Sequence, residues 1–244
     1  MSTVANPRAD IPAAERLIFA LDVPDAARAR TLVELLGDSV QFYKIGLELC
    51  MSGDYFALLD WLVARGKKVF VDLKFFDIPA TVAGAVRQLN GRGVTFATVH
   101  GNQAIMEAAA EAKGDVKILA VTVLTSLDRG DLDDLGFKCD VEQLVLSRAR
   151  RAFESGCDGV VASGQECQAL RKNVDNRLIV VSPGIRPVEN RPSDDQNRIV
   201  TVPQAFEWGA DYIVVGRPIR DAKDPVAAAR GIQTQILSSA NNVC

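Results

Sequence analysis

The chain has 244 residues, 48% hydrophobic and 24% charged, enough apolar residues for a large core and too many for an intrinsically disordered chain. Its net charge is −3 and no block of five or more Lys/Arg occurs, which argues against a nucleic-acid-binding surface, so an anionic ligand must be met by a few placed cations. With one histidine, His100, a His-rich zinc site has no donors, and a Ser-His-Asp triad is possible only if His100 serves it.

In chain order, the lead Met1–Glu15 carries Pro7 and Pro12 and no apolar core, so it is expected to be flexible and not a secretory signal. No run of about eighteen apolar residues follows, so no ordinary membrane-spanning helix is expected. The strand candidates are Leu17–Leu21, Val40–Ile45, Lys68–Leu73, Thr95–Val99, Val116–Leu124, Gly159–Ala162, Leu178–Val181 and Tyr212–Val215. Helical patterns fall between them at Pro24–Leu36, Phe56–Ala64, Thr81–Asn90, Gln103–Ala112, Val141–Ser155 and Pro225–Ile236. Nearly continuous apolar strands alternating with helices mean a parallel sheet covered on both faces. Eight such units at this length favour an α/β chain forming one (β/α)8 barrel over residues 16–240, with a doubly wound open sheet as the competitor. The long connection Ser182–Val200 holds Pro183, Pro187 and Pro192, follows the seventh strand, and is expected to be a lid or binding loop. The five cysteines (Cys50, Cys139, Cys157, Cys167 and Cys244) are scattered, odd in number and without a C-x-x-C pair, as reduced thiols of a cytoplasmic protein would be.

Strand side chains alternate faces, so residues that share a face can be read by skipping one. Ile18, Ala20 and Asp22 form one such set; Phe42, Lys44 and Gly46 a second; Phe70, Asp72 and Lys74 a third, with Val69, Val71 and Leu73 opposite. Each set begins apolar and turns charged or small at its C-terminal end, so Asp22, Lys44, Asp72 and Lys74 should converge on one barrel mouth. Any one of these could be a helix cap or a solvated strand end, although Asp25 beside Pro24 is the better cap for the first helix. Together they read as a catalytic network, because buried Lys and Asp are costly unless paired. Arg217 directly follows the eighth strand, where barrels bind phosphate, and Gly216 before it allows close backbone approach.

These segments carry a resemblance. Asp72 to Thr81 reads D-L-K-F-F-D-I-P-A-T and closely resembles the D-x-K-x-x-D segment of the orotidine 5′-monophosphate decarboxylase family, with the I-P-x-T that follows it. F-A-L-D ending at Asp22, Y-K-I-G around Lys44, V-T-V-L-T-S from Val121 to Ser126, S-P-G-I-R-P from Ser182 to Pro187, Asp195–Gln196 and V-V-G-R-P-I from Val214 to Ile219 extend the match along nearly the whole chain. D-x-K-x-x-D alone is shared with sugar-phosphate relatives of the same superfamily; the full ordered set is specific.

The resemblance implies conversion of orotidine 5′-monophosphate to UMP and CO2 without metal or organic cofactor, in a cytoplasmic homodimer. It implies Lys74 as proton donor to C6 of the pyrimidine, Asp72 against the departing carboxylate and Lys44 as their brace. Asp77 and Thr81, with Ile78 between them, would reach the partner subunit's site. Asp22 would take ribose hydroxyls, Thr125 and Ser126 the pyrimidine edge, and Pro183, Arg186, Gln196, Gly216 and Arg217 would line the phosphate end. Phe76 stands where a histidine is common in the family. His100 is expected to be structural, and Thr98 and Asn102 receive no role. Two other functions remain open: a Mg2+-dependent sugar-phosphate decarboxylase or aldolase of the superfamily, and a non-catalytic sensor of pyrimidine nucleotides.

Overall fold

In the computed structural model, which describes residues 11–186 and 199–241, every strand candidate overlaps a strand of one sheet. The strands are β1 (Leu17–Ala20), β2 (Phe42–Ile45), β3 (Lys68–Phe75), β4 (Val94–His100), β5 (Lys117–Val121), β6 (Gly159–Val161), β7 (Ile179–Ser182) and β8 (Tyr212–Val215). Each pairs in parallel with the next, and β8 closes on β1, so the sheet is a barrel and the open doubly wound alternative falls. The covering helices are α1 (Ala26–Leu36), α2 (Leu47–Met51), α3 (Tyr55–Ala64), α4 (Pro79–Arg87), α5 (Gln103–Ala112), α6 (Arg129–Asp134), α7 (Val141–Glu154), α8 (Cys167–Asn173), α9 (Val202–Glu207), α10 (Arg217–Arg220) and α11 (Pro225–Asn241). No helix among the described residues is long and apolar enough to cross a membrane.

The core has two layers. Outward-facing strand residues such as Phe19, Tyr43, Val71 and Val180 pack under the helices. Inside the barrel, Ile18, Ala20, Phe42, Phe70, Phe96, Leu119, Val181, Tyr212 and Val214 form a separate cluster. Its rings touch edge-on or tilted: Phe42 and Phe96 lie 5.2 Å apart, Phe96 and Tyr212 5.1 Å, Phe70 and Phe96 5.9 Å. Burying each of these phenylalanines stabilises the fold by about 1.5–3 kcal/mol. They also make a dry floor beneath the charged strand ends.

Three expectations change. The lead is not wholly flexible where it is described: Ala13–Glu15 form a 3-10 turn, Glu15 pairs with Lys68 at the start of β3, and Arg16 Nε donates to Ile11 O at 3.2 Å. The remainder of the lead lies outside the described residues, as does most of the connection Ser182–Val200. The fifth strand stops at Val121, three residues before Leu124: the N–H of Thr122 makes the last ladder bond, to the carbonyl of Val161 at 3.3 Å, and the Thr122 hydroxyl donates to the same carbonyl at 3.0 Å.

The third change concerns β3. Val71 pairs with Ala97 and Phe75 with Val99, so Asp72, Leu73 and Lys74 together face the single residue Thr98. This is a bulge, and it breaks the simple alternation by which Asp72 and Lys74 were expected to share a face. Lys74 has φ 49°, the left-handed region, alone among the described non-glycine residues. Such a conformation costs a residue with a Cβ about 1–3 kcal/mol and persists only when its surroundings hold it there.

Candidate active site

Barrel register explains why the charges meet. Ala20 pairs with Lys44 and Lys44 with Phe70, so Asp22 and Asp72, each two residues further on, flank the Lys44 side chain from either side. Lys44 Nζ lies 3.1 Å from Asp22 Oδ1 and 3.3 Å from Asp72 Oδ2. Lys74 Nζ donates to the other oxygen, Asp72 Oδ1, at 3.0 Å. The result is a continuous Asp22–Lys44–Asp72–Lys74 chain of alternating sign. Asp25, not Asp22, caps α1 by accepting from the N–H of Arg28 at 2.7 Å, which leaves Asp22 for this chain.

Exposure grades the array. The side chains of Lys44 and Asp72 are 12% and 11% exposed, against 33% for Lys74 and 48% for Asp22. Burial is the largest influence on Lys44 and would neutralise it, but Asp72 and Asp22 outweigh that and hold its pKa above the usual lysine value. Asp72 mirrors it: burial would raise its pKa, yet Lys44, Lys74 and the hydroxyl of Thr98 bring it below the usual carboxylate range. The inner pair is therefore ionised at neutral pH. Gly46 lies beside it, where a Cβ would sit 3.5 Å from Lys44 Nζ and 3.6 Å from Asp22 Oδ1.

The array forms one wall of a cavity of about 400 Å3, of a size for a small-molecule ligand. Asp22, Lys44, Asp72, Lys74, Thr125, Pro183, Arg186, Gly216 and Arg217, all singled out from sequence, line it. Arg217 is the first residue of α10, directly after β8, and Arg186 is buried with Nη1 donating to Ile185 O at 3.0 Å. A bridge between Ile185 and Val200 pins the two described ends of the long connection together beside the cavity. Gln196 lies outside the described residues.

Other expected residues do not line the cavity. Ser126 is exposed next to Thr125. Asp77 and Ile78 are exposed on the β3–α4 connection, where Asp77 Oδ1 accepts from the N–H of Ile78 at 2.6 Å, and Thr81 is exposed in the first turn of α4. His100 also stays out of the cavity; its ring lies 4.5 Å from that of Phe76, and burial, then the charge of Arg148, keep its pKa below the usual histidine value.

Two residues with contacts in the site were missed in the sequence. Thr98 bonds both Asp72 and Lys74, and a polar residue two positions after Phe96, in step with the barrel interior, was the available signal. Arg220 lines the cavity, grips Asp221 through Nε and Nη2 at 2.7 and 3.0 Å, and donates from Nη1 to the carbonyl of Asp22 at 2.7 Å. It thereby ties the end of β1 to α10, and its place one helical turn after Arg217 was the only hint.

The model of the orotidine 5′-phosphate decarboxylase / HUMPS family matches residues 15–232. A protein of Methylococcus capsulatus named orotidine 5′-phosphate decarboxylase is 71% identical over 226 residues, 93% of each chain. One of the same name from Stenotrophomonas maltophilia is 55% identical over 227 residues, covering 92% of this chain and 94% of its own. Among solved structures, orotidine 5′-phosphate decarboxylase from Lactobacillus acidophilus superposes with a TM-score of 0.80 at 35% identity, covering 91% of this chain and 99% of that one.

Proposed function

The chain belongs to the orotidine 5′-phosphate decarboxylase / HUMPS family, and from that membership we propose that it converts orotidine 5′-monophosphate to UMP and CO2 by means of the Asp22–Lys44–Asp72–Lys74 array. The observation that carries the reading is the placement of two ammonium groups on the two oxygens of one buried carboxylate, at the wall of a nucleotide-sized cavity. Loss of CO2 breaks the bond between C6 and the carboxyl carbon and leaves the electron pair on C6. Lys74 faces that pair, stabilises it as it develops, and gives C6 the proton that completes UMP; water then reprotonates the amine. Arginine could not serve, because it does not release its proton. Asp72 lies against the departing carboxylate and Lys44 fixes Asp72, while Asp22 meets the ribose and Thr125 and Ser126 the pyrimidine edge. Pro183, Arg186, Gln196, Gly216 and Arg217 surround the phosphate, whose binding energy helps close the site.

The family also contains sugar-phosphate enzymes, so the mode of charge stabilisation needs its own test. Both oxygens of Asp72 already accept from Lys44, Lys74 and Thr98, an arrangement that suits a lysine-based site better than a hard cation seeking several oxygen ligands. Purified protein mixed with orotidylate in excess EDTA is expected to lower the substrate's absorbance at the rate seen without chelator. Activity that disappears in EDTA and returns with Mg2+ would give the reaction to the metal-dependent branch.

The same reading includes a homodimer in which Asp77, Ile78 and Thr81 complete the partner subunit's site. Supporting it, Phe76 and Ile78 are 61% and 66% exposed beside Asp77, and Leu47 and Met51 are 60% and 83% exposed at the two ends of α2, which follows the neighbouring strand β2. Light scattering is expected to give twice the chain mass, and Ile78→Asp to give a single chain mass with most turnover lost. A fully active monomer would refute this arrangement. A cytoplasmic setting is supported by the free thiols of Cys50, Cys139, Cys157 and Cys167.

A further inference from the structure

Thr98 is fully buried in β4, and its hydroxyl bridges two members of the array. Its oxygen accepts the backbone N–H of Lys74 at 2.9 Å and donates its proton to Asp72 Oδ1, also at 2.9 Å. The same Oδ1 takes the Lys74 ammonium at 3.0 Å, closing a small ring through backbone, hydroxyl, carboxylate and side chain. The residue so held is the one whose backbone sits at φ 49°, inside the bulge where three residues of β3 face Thr98 alone.

We infer that Thr98 is a positioning residue, whose hydroxyl holds the left-handed Lys74 backbone and the Asp72 carboxylate in the one relative geometry that aims the ammonium into the cavity. The inference rests on the assignment of Lys74 as proton donor. A lysine side chain has four rotatable bonds, so its ammonium is placed only as well as its backbone and its partner carboxylate are placed. Remove the hydroxyl, and the Lys74 N–H loses its acceptor inside the protein, so the backbone hydrogen bond that helps hold an otherwise unfavourable conformation is gone. Asp72 loses a donor at the same time. Because the Thr98 hydrogen bond is one of the influences that lower the Asp72 pKa, its loss raises that pKa, and Asp72 becomes protonated at higher pH than in the parent protein.

The test compares Thr98→Val, which keeps the shape and removes the hydroxyl, with Thr98→Ser, which keeps the hydroxyl. For Thr98→Val, kcat for orotidylate is expected to fall by roughly 10- to 100-fold, the scale of a displacement near 1 Å at a reacting group. KM and UMP affinity should change by less than about threefold, since the residues assigned to the phosphate follow β7 and β8, away from β4. The acid limb of the kcat profile should move to higher pH, a shift that a merely structural role would not produce. Thr98→Ser should stay within about threefold of the parent with its pH profile unmoved. If Thr98→Val does not fold, Thr98→Ala supplies the hydroxyl-free arm. A hydroxyl-free variant within twofold of parent kcat, or a Ser variant as impaired as the hydroxyl-free one, overturns the inference and leaves the decarboxylase reading standing. A parent protein that does not turn over orotidylate removes both.

Discussion

Lys74→Ala is expected to lower kcat for orotidylate by at least about 10⁴-fold while leaving UMP binding nearly intact. General acid catalysis by a placed side chain contributes about 10²–10⁴, and a placed charge at the developing anion about 10²–10³, and the proposed role of Lys74 combines the two. Repulsion between Asp72 and the substrate carboxylate cannot replace it. Two like charges about 4 Å apart at an effective dielectric near 20 repel by roughly 4 kcal/mol, some three powers of ten even if wholly relieved at the transition state. UMP carries no carboxylate and develops no charge at C6, so it does not call on the missing ammonium. The variant should also fold. Alanine has the same Cβ as lysine at the left-handed position, and the buried Asp72 carboxylate keeps Lys44 and the Thr98 hydroxyl as partners when the Lys74 ammonium is lost. Single-turnover kinetics and UMP titration separate the two effects. A variant that still decarboxylates at near-parent rates would take the proton from some other group and end the assignment.

The proton-donor role of Lys74 rests on the family resemblance, whereas its place at the barrel mouth is legible in strand alternation only in part. Alternation along β1 and β2 carries Asp22 and Lys44 to the barrel mouth, and the apolar members of each set, Ile18, Ala20, Phe42 and Phe70, do form the interior floor. Tyr212–Val215 forms β8 with the expected bounds, because an unbroken apolar run between charged or glycine neighbours leaves little choice. In β3, however, Lys74 reaches Asp72 through a bulge and a left-handed residue, not through regular alternation. The device that stabilises this bulge, Thr98, stands 24 residues away on another strand, so no local pattern reveals it. Arg220 is the stronger case: its contact with the Asp22 carbonyl spans 198 residues and exists only because the barrel closes β8 on β1. The helices α6 and α9 were missed for a different reason. Both carry capping boxes, Asp128 with Asp131 and Thr201 with Gln204, that were legible, but each helix has six residues, too few for its apolar periodicity to register.

At the other end of the cavity, Arg217→Ala is expected to raise KM by roughly 100-fold or more with a kcat loss of about tenfold or less. Losing one partner of a hydrogen-bonded charge pair that the bound ligand covers costs about 2–5 kcal/mol, and each 1.4 kcal/mol is tenfold in affinity. The loss should fall mainly on KM because the phosphate does not react, so the proposed contact with Arg217 would be made in ground and transition states alike. Some kcat loss is still expected, since phosphate binding helps hold the loop ends joined at Ile185 and Val200 against the site. Arg220 cannot take over without releasing Asp221 and the Asp22 carbonyl, and that release would loosen the strand end that presents Asp22. Arg217→Lys should recover only part of the affinity, because it restores the charge without the planar fork that grips two phosphate oxygens. The deciding control is orotidine, which lacks the phosphate: kcat/KM for it should be equal, within about twofold, in the parent and in Arg217→Ala. If orotidine suffers the same loss as orotidylate, Arg217 is acting on the reacting end or on the fold, and the phosphate must be held elsewhere.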